Sequence, residues 1–264
     1  MNVNMYVMTH KEFKCPNIEG YIPLQVGAYN KKDLGYQKDS TGENISIKNP
    51  NYCELTGEYW IWKNDKSSDI IGISHYRRFF TNYKISRKEK GFINRKQIKS
   101  ILQEYDIILP KKEIYKETAY EQYCLESGFK KDLDKIRNII SVRYPDYIDS
   151  FDRIMKNNKM YQFNMMITDK KNYDSYCEWL FNILFELEKN INLDDGYNDY
   201  QKRIYGFISE RLLNVWVEKN NLKVKQMRVI NLNMNWKEII RLNLRRIKNE
   251  YIFNKNKDER SKSK

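Results

Sequence analysis

The sequence predicts an α/β protein with a mainly parallel central sheet flanked by helices. Short apolar runs of strand length alternate with longer segments whose apolar residues recur at helical spacing. The 264 residues, 41% of them hydrophobic, suffice for one large core. Only 10 Gly and 5 Pro are present, which argues against fibrous and loop-dominated classes.

The first half of the chain begins with two predicted strands, over residues 2–8 and 21–29, and a polar loop over residues 30–46. Pro50 predicts the start of a helix that continues to residue 64, because proline is tolerated in a first helical turn. The compact apolar run over residues 69–74 predicts the next strand.

The same alternation continues through the second half of the chain, without an internal repeat or a mid-chain linker. We expect helices over residues 94–103, 118–141 (one or two), 145–157, 173–189 and 201–219, and strands over residues 105–109, 163–168 and 222–230.

The charge and composition narrow the range of partners. Lys and Arg number 48 and Asp and Glu 35, a net charge of +13 that suits nucleic acid, an anionic membrane surface or a phosphorylated small molecule. No apolar run is long enough to span a membrane, and the N-terminus lacks signal-peptide features. Four widely separated cysteines favour a reduced, cytosolic protein. The chain has only two histidines, which excludes a metal site built from several histidines.

Three of the predicted strands carry polar residues: two are followed by them, and the strand over residues 163–168 contains Asn164. In open α/β sheets ligands bind beyond the carboxyl ends of strands, where Thr9 and His10 follow one strand and His75, Arg77 and Arg78 another. Guanidinium groups suit a diphosphate, and a histidine can donate to phosphate or act as a base. The alternative is a loop in which the arginines pair with acidic neighbours.

A second polar group surrounds the start of the helix predicted from Pro50. Free amides at such a start suit a phosphate or sugar hydroxyls, and Asn49, Tyr52, Tyr59 and Lys63 lie along it. On pattern alone, an ordinary capped amphipathic helix is favoured.

Two carboxylates are candidates for acid–base work. Glu210 interrupts an apolar run, so burial could raise its pKa and make it a base, or it and Arg211 could pair with structural residues. Asp132 belongs to the chain's Asp-x-Asp, which lies in a helical pattern and is expected to face solvent.

The C-terminal segment carries much of the excess charge. Residues 236–264 hold ten Lys and Arg against four Asp and Glu, a net charge of +6, and the last part, residues 254–264, is of low complexity. Ile240, Leu244, Ile247 and Tyr251 recur at spacings of 4, 3 and 4, which predicts a basic amphipathic helix. Such a helix binds an anionic membrane surface or docks on the core with a solvated basic face.

Seven ordered segments together resemble a bacterial family catalogued as a domain of unknown function. Its members occur in capsule, exopolysaccharide and lipopolysaccharide gene clusters and are usually called glycosyltransferases. The resemblance covers roughly residues 4–230. The segments are NIS…KNPNYCELT (44–56), YWIWKN (59–64), GISHYRRFF (72–80), YDIILP (105–110), FNMMI (163–167), YCEWLF (176–181) and GFISERLL (206–213).

The resemblance implies a GT-A-like domain over residues 1–235, with a Rossmann-like half for a nucleotide sugar, followed by a basic amphipathic helix and disordered tail over residues 236–264. It implies transfer of a hexose, UDP-linked and leaning toward galactose or galactofuranose, to a capsular, exopolysaccharide or lipopolysaccharide acceptor, commonly lipid-linked. The tail would then dock a cytoplasmic, peripheral protein on the inner face of the membrane. A non-catalytic carbohydrate-binding protein and a nucleic-acid-binding protein are the alternatives; no nucleic-acid-reading motif is present, and nucleic acid is not expected as a partner.

The resemblance also implies roles for particular residues. An Asp-x-Asp is missing where GT-A enzymes carry it, so Arg77, Arg78 and His75 are expected to replace the charge of a metal, and bound Mn²⁺ or Mg²⁺ stays open. Glu210 is the first candidate base and Asp132 the second. The other donor-binding candidates are Thr9, His10, Gln25, Val26, Gly27, Asn49 and Tyr52, and the substrate-binding candidates are Asn164, Tyr59, Lys63 and Arg211.

Overall fold

The computed structural model describes residues 1–82 and 89–262, in which helices pack on a mixed eight-stranded sheet. The strands are β1 (Val3–Thr9), β2 (Tyr21–Gln25), β3 (Gln37–Lys38), β4 (Ile70–His75), β5 (Arg78–Thr81), β6 (Ile107–Pro110), β7 (Glu113–Ile114), β8 (Lys159–Met160), β9 (Ile167–Asp169) and β10 (Val224–Asn231). The α-helices are α1 (Asn49–Tyr52), α2 (Leu55–Asn64), α3 (Arg95–Ile101), α4 (Ala119–Glu126), α5 (Lys130–Arg143), α6 (Ile148–Met155), α7 (Lys170–Asn190), α8 (Ile204–Lys219) and α9 (Trp236–Lys262). Short 3₁₀ turns occupy Ser46–Lys48, Glu89–Gly91, Pro145–Tyr147 and Gln201–Arg203.

The sheet has the order β3-β2-β1-β4-β5-β10-β6-β9, and β9 also pairs with β4. Strands β1 to β4 run parallel, as do β6 and β10, but β5 and β9 run antiparallel to their neighbours. The α/β class is confirmed, whereas the Rossmann-like, mainly parallel sheet is corrected to a mixed one. The reason is local for β5, because a tight turn from His75 to Arg78 can only join antiparallel strands.

The core lies on both faces of the sheet, since alternate residues of a strand point to opposite sides. In β1, Tyr6 and Met8 join the larger cluster with residues of α2, α5, α7 and α8, and Met5 and Val7 join the smaller one. All seven residues of β1 are buried, so the strand is a central element on which the site is built.

Two predicted elements are interrupted by left-handed backbone. The helix expected over residues 50–64 breaks at Cys53 (φ 52°), which separates α1 from α2. The strand expected over residues 163–168 begins only at Ile167, because Phe163 (φ 75°) and Asn164 (φ 49°) are left-handed. Non-glycine residues rarely adopt this conformation, so tertiary contacts must hold them there.

Helix α9 docks on the core through one face. Arg246 forms a bidentate ion pair with the buried carboxylate of Glu113, and Asn249 Nδ2 donates to the carbonyl oxygen of Ile114 at 3.0 Å. The helix extends to Lys262, so the tail expected to be disordered is helical as far as it is described. None of the described helices is long and apolar enough to cross a membrane.

Candidate active site

A cleft of about 720 Å³ lies beyond the carboxyl ends of β1 and β4. Five arginines and three glutamates line it, so cations outnumber carboxylates. These side chains come from distant parts of the chain and converge on one concave surface, which is the default location of a ligand site in an α/β sheet. The charged lining residues are Arg77, Arg78, Arg203, Arg211, Arg245, Glu54, Glu126 and Glu210, with His10 and His75 among the others.

His75, the last residue of β4, is fixed by a hydrogen bond. Its Nε2 lies 2.8 Å from the carbonyl oxygen of Phe163, an acceptor, so Nε2 carries the proton. Burial lowers the pKa of His75, an effect that the carboxylate of Glu54 opposes and Arg78 reinforces. The ring is therefore neutral near pH 7, and Nδ1 is left as an acceptor.

Arg77 and Arg78 lie next to His75 in the turn into β5. The Arg78 guanidinium stacks over the Phe163 ring at 4.5 Å from its centroid. Burial and the charge of Arg77 lower the pKa of Arg78, although a guanidinium remains charged. Within residues 1–82 and 89–262, neither arginine forms a salt bridge, so the alternative of structural pairing is not supported. Two adjacent unpaired cations favour a bound anion.

Glu210, from α8, faces the same cleft. Its Oε1 accepts a hydrogen bond from the backbone amide of Phe163 at 2.9 Å. Burial raises the pKa of Glu210, and the neighbouring Arg211 opposes this rise. A carboxylate with a raised pKa is a better proton acceptor near neutral pH, which fits the predicted role of a base.

A second carboxylate, Glu54, was not among the predicted site residues. It precedes α2 directly after the left-handed Cys53, and its Oε1 accepts from Asn164 Nδ2 at 2.8 Å. The only signal in the sequence was its place in a polar segment, since the break at Cys53 that directs it into the cleft depends on tertiary contacts. Glu54 and Glu210 therefore hold the two ends of one strained dipeptide.

Asn164 itself is fully buried and does not line the cleft. Its amide nitrogen donates to Glu54 and to the carbonyl oxygen of Gly206, the latter at 3.2 Å. The predicted direct contact with substrate is not supported, and Asn164 instead positions Glu54.

Four of the other predicted donor-binding residues line the cleft: Thr9, His10, Val26 and Asn49. Burial and nearby cations, first Lys11, lower the pKa of His10.

Gln25 and Gly27 are not among the residues that line the cleft. Gln25 Nε2 donates to the carbonyl oxygen of Lys32 at 2.8 Å, which closes a loop. Gly27 (φ 63°) approaches Asn49 so closely that a Cβ atom would lie 2.4 Å from its Oδ1. A larger residue at this left-handed position would displace Asn49, whose Nδ2 donates to the carbonyl oxygen of Cys53 at 2.7 Å beside the cleft.

Three predicted residues lie away from the cleft. Tyr52 stacks on Tyr205 at 4.3 Å between ring centroids and is buried. Tyr59 donates to Glu43 Oε1 at 2.8 Å, and Lys63 pairs with the same carboxylate at 3.5 Å. None of the three lines the cleft, so their predicted binding roles are not supported.

Asp132 is also away from the cleft. Instead of facing solvent, it is fully buried and accepts hydrogen bonds from the Tyr123 hydroxyl at 2.8 Å, the Tyr197 hydroxyl and the Phe129 amide. The expectation that Asp132 faces solvent is therefore wrong, since both oxygens are used inside the fold and one caps α5, and the predicted role as second candidate base gains no support from this position.

Arg211 joins the cleft wall to the core. It is almost fully buried, and its guanidinium donates to the carbonyl oxygen of Phe207 at 2.7 Å and to Gln122 Oε1. Arg203 was missed by sequence reasoning, and its Nε contacts Cys53 Sγ at 3.2 Å. Arg245, which was also not among the predicted site residues, reaches the cleft from α9.

Among the described residues, His, Cys, Asp and Glu do not gather in groups of three or more that could hold a metal ion.

Residues 4–221 match the model of the family described as Domain of unknown function (DUF4422). The chain belongs to this family. Its fold is also similar to an apo structure of WbbM, a bifunctional glycosyltransferase, with a TM-score of 0.82 and 32% sequence identity. That similarity covers 89% of this chain but 46% of WbbM, so the chain spans about half of that larger protein. No curated protein matches the chain.

Proposed function

We propose that this member of the DUF4422 family is a glycosyltransferase with a UDP-linked hexose donor, galactose or galactofuranose being favoured. Its acceptor is a growing capsular, exopolysaccharide or lipopolysaccharide glycan, including lipid-linked forms. The observation that carries the proposal is the convergence of Arg77 and Arg78, which form no salt bridge among the described residues, and the half-buried carboxylate of Glu210 at the carboxyl ends of β1 and β4. The similarity to a chain described as a bifunctional glycosyltransferase supports it.

The reaction places two demands on the cleft. An acceptor hydroxyl oxygen attacks the anomeric carbon, and the bond from that carbon to the β-phosphate oxygen breaks with both electrons leaving on UDP. If the reaction inverts the anomeric centre, the hydroxyl proton passes to a carboxylate. Glu210 meets this demand because its pKa is raised by burial, and Glu54 is the alternative base at the same loop.

Charge on the departing diphosphate is the second demand. Arg77 and Arg78 supply two cations beside one another, and Arg203 lines the same cleft. Positive groups aimed at developing charge are among the strongest contributors to catalysis. We propose that these arginines do the work that a divalent metal does in other transferases. The neutral His75, whose Nδ1 can only accept a hydrogen bond, adds no positive charge there, contrary to the expectation from the sequence.

The decisive experiment incubates the purified chain with UDP-galactose, UDP-galactofuranose or UDP-glucose and glycan acceptors, and measures UDP release and product mass. We expect product with one UDP-sugar, and undiminished product in excess chelator. A requirement for Mn²⁺ or Mg²⁺ would contradict the arginine proposal, while leaving the transferase proposal intact.

A thermal-shift assay distinguishes a glycosyltransferase from the two alternative classes, a carbohydrate-binding protein and a nucleic-acid-binding protein. UDP and its sugars should raise the melting temperature more than other nucleotides do, because a ligand stabilises only the state that binds it. Glycan binding without UDP release would indicate a carbohydrate-binding protein. A salt-sensitive gel shift with RNA or DNA in place of these results would indicate a nucleic-acid-binding protein.

A further inference from the structure

Helix α9 leaves an apolar stripe uncovered. Ile240, Leu244, Ile247 and Tyr251 are between 58% and 71% exposed, although each is a large hydrophobic residue. At about 100° per residue they fall within an arc of about 60°, so they form one continuous line along the helix. Isolated exposed hydrophobics are common, but a line of four at helical spacing is the sign of an interaction surface.

Cations flank this stripe on one side. Lys237, Arg241, Arg245 and Lys248 are exposed and occupy the adjoining arc of about 80°. Among the described residues none of the four forms a salt bridge. The opposite face of α9 is already used, since Arg246 and Asn249 hold the helix to the core.

We infer that this surface of α9, the apolar stripe and its basic row, seats the protein on an anionic lipid bilayer. The combination of exposed apolar residues and unpaired cations on one side of a helix matches a surface that is apolar at depth and negative at its face. A second copy of this chain would bring two like-charged basic rows together, so charge complementarity favours the bilayer.

The position of Arg245 connects this surface to the cleft. It belongs to the basic row and also lines the cleft. A second cavity of about 470 Å³ lies between α9 and β10, and Arg78, Phe163 and Arg245 line both cavities. A bilayer seated on α9 therefore lies beside the site, where a lipid-linked acceptor would arrive. This link to the acceptor rests on the proposed function, whereas the membrane contact does not.

The test is cosedimentation of the full chain with vesicles of phosphatidylcholine alone or mixed with phosphatidylglycerol. We expect binding to the anionic vesicles that weakens with salt. Leu244→Ser with Ile247→Ser should lower the partition coefficient at least tenfold (order of magnitude), because burying each side chain is favourable. Arg241→Gln and Lys248→Gln should each lower it about fivefold at low salt and much less at high salt.

Matched controls come from exposed residues elsewhere. Leu125→Ser with Val142→Ser replaces side chains that are 72% and 73% exposed, and Lys96→Gln and Lys171→Gln, made singly, each remove one positive charge as each basic-row variant does. These controls should bind as the unmodified chain does, and circular dichroism should show all variants folded.

Three outcomes would overturn the inference: no binding by the unmodified chain, equal binding by the stripe variant, or a dimer in ultracentrifugation that the stripe variant dissociates. The binding assay contains neither donor nor acceptor. Vesicle binding without any sugar transfer would therefore remove the proposed function and leave this inference standing. Sugar transfer to a soluble acceptor without vesicle binding would remove this inference and leave the proposed function standing.

Discussion

His75 Nε2 donates to the carbonyl oxygen of Phe163 over 2.8 Å, which ties the end of β4 to the loop before β9. The amide of the same Phe163 donates to Glu210. A histidine and a glutamate 135 positions apart in sequence are thus fixed to the backbone of one residue, Phe163. The left-handed backbone of Phe163 and Asn164 is held by these bonds, and the cleft is shaped around it.

The role of Glu210 as a base predicts the effect of Glu210→Gln. Gln retains an oxygen that can accept from the Phe163 amide, so the melting temperature should change little. It cannot take a proton, so kcat should fall by about 10²- to 10⁴-fold, as for other general bases. Single-turnover kinetics measures the loss in the chemical step, and a UDP titration shows whether donor binding has changed as well. Glu218→Gln, on the exposed side of the same helix, serves as control.

A turnover close to that of the unmodified chain would exclude Glu210 as the base and direct attention to Glu54. The pH dependence of the transfer rate is an independent test of the same role. Because the pKa of Glu210 is raised, the rate should fall as pH decreases through that raised value, where the base becomes protonated.

Arg78→Gln should weaken UDP binding, because a charge-assisted hydrogen bond contributes about 1.5–3 kcal/mol. Isothermal titration should show Kd rising by about 10- to 100-fold, and Arg78→Lys should recover part of the loss because the charge is kept. Arg95→Gln removes an arginine that pairs with Glu19 outside the cleft and should leave Kd unchanged. Unaltered UDP affinity in Arg78→Gln would remove Arg78 from the donor site.

Asp132→Ala should reduce stability rather than affinity. The change leaves two tyrosine hydroxyls and one amide without their acceptor in a buried place, at a cost of about 3 kcal/mol or more in the free energy of unfolding. Urea denaturation measures this, and UDP affinity measured under folding conditions should not move. A stable variant with impaired transfer would restore Asp132 as a catalytic candidate.

Glu58 predicts a pH dependence of stability. Its side chain is fully buried, and within the described residues neither carboxyl oxygen has a hydrogen-bond partner. Burial raises its pKa well above 4.5, with Glu54 adding to the effect. The folded state therefore binds more protons than the unfolded state above pH 4.5, so stability should fall as pH rises above that value toward the raised pKa. Glu58→Gln stays neutral, and its unfolding free energy should lose this slope; an unchanged slope would contradict the assignment.

The sequence predicted the elements that follow from local pattern. Strand β1 and the strand ending at His75 were predicted within one or two residues, because continuous apolar runs mark buried strands. Arg77 and Arg78 line the cleft for the same reason, since a strand end determines where the next residues lie; their role in donor binding stays a prediction.

What could not be predicted depends on contacts between distant residues. The run from Phe163 to Thr168 has the composition of a strand, yet hydrogen bonds from His75 and to Glu210 hold its first residue in a left-handed conformation. Glu54 was overlooked because its direction depends on the break at Cys53. Tyr52 and Asp132 were misplaced because polar atoms can be satisfied inside a core by partners far along the chain.

Arg245 makes the C-terminal helix an unsafe place to shorten the protein. A fragment trimmed before α9 to improve its handling would lose one of the five arginines around the cleft together with the surface that the helix presents. It would also uncover Glu113, a carboxylate that Arg246 now neutralises in the neighbouring cavity between α9 and β10. Substrate affinities measured on such a fragment would describe a more negative and less complete cleft than that of the whole chain.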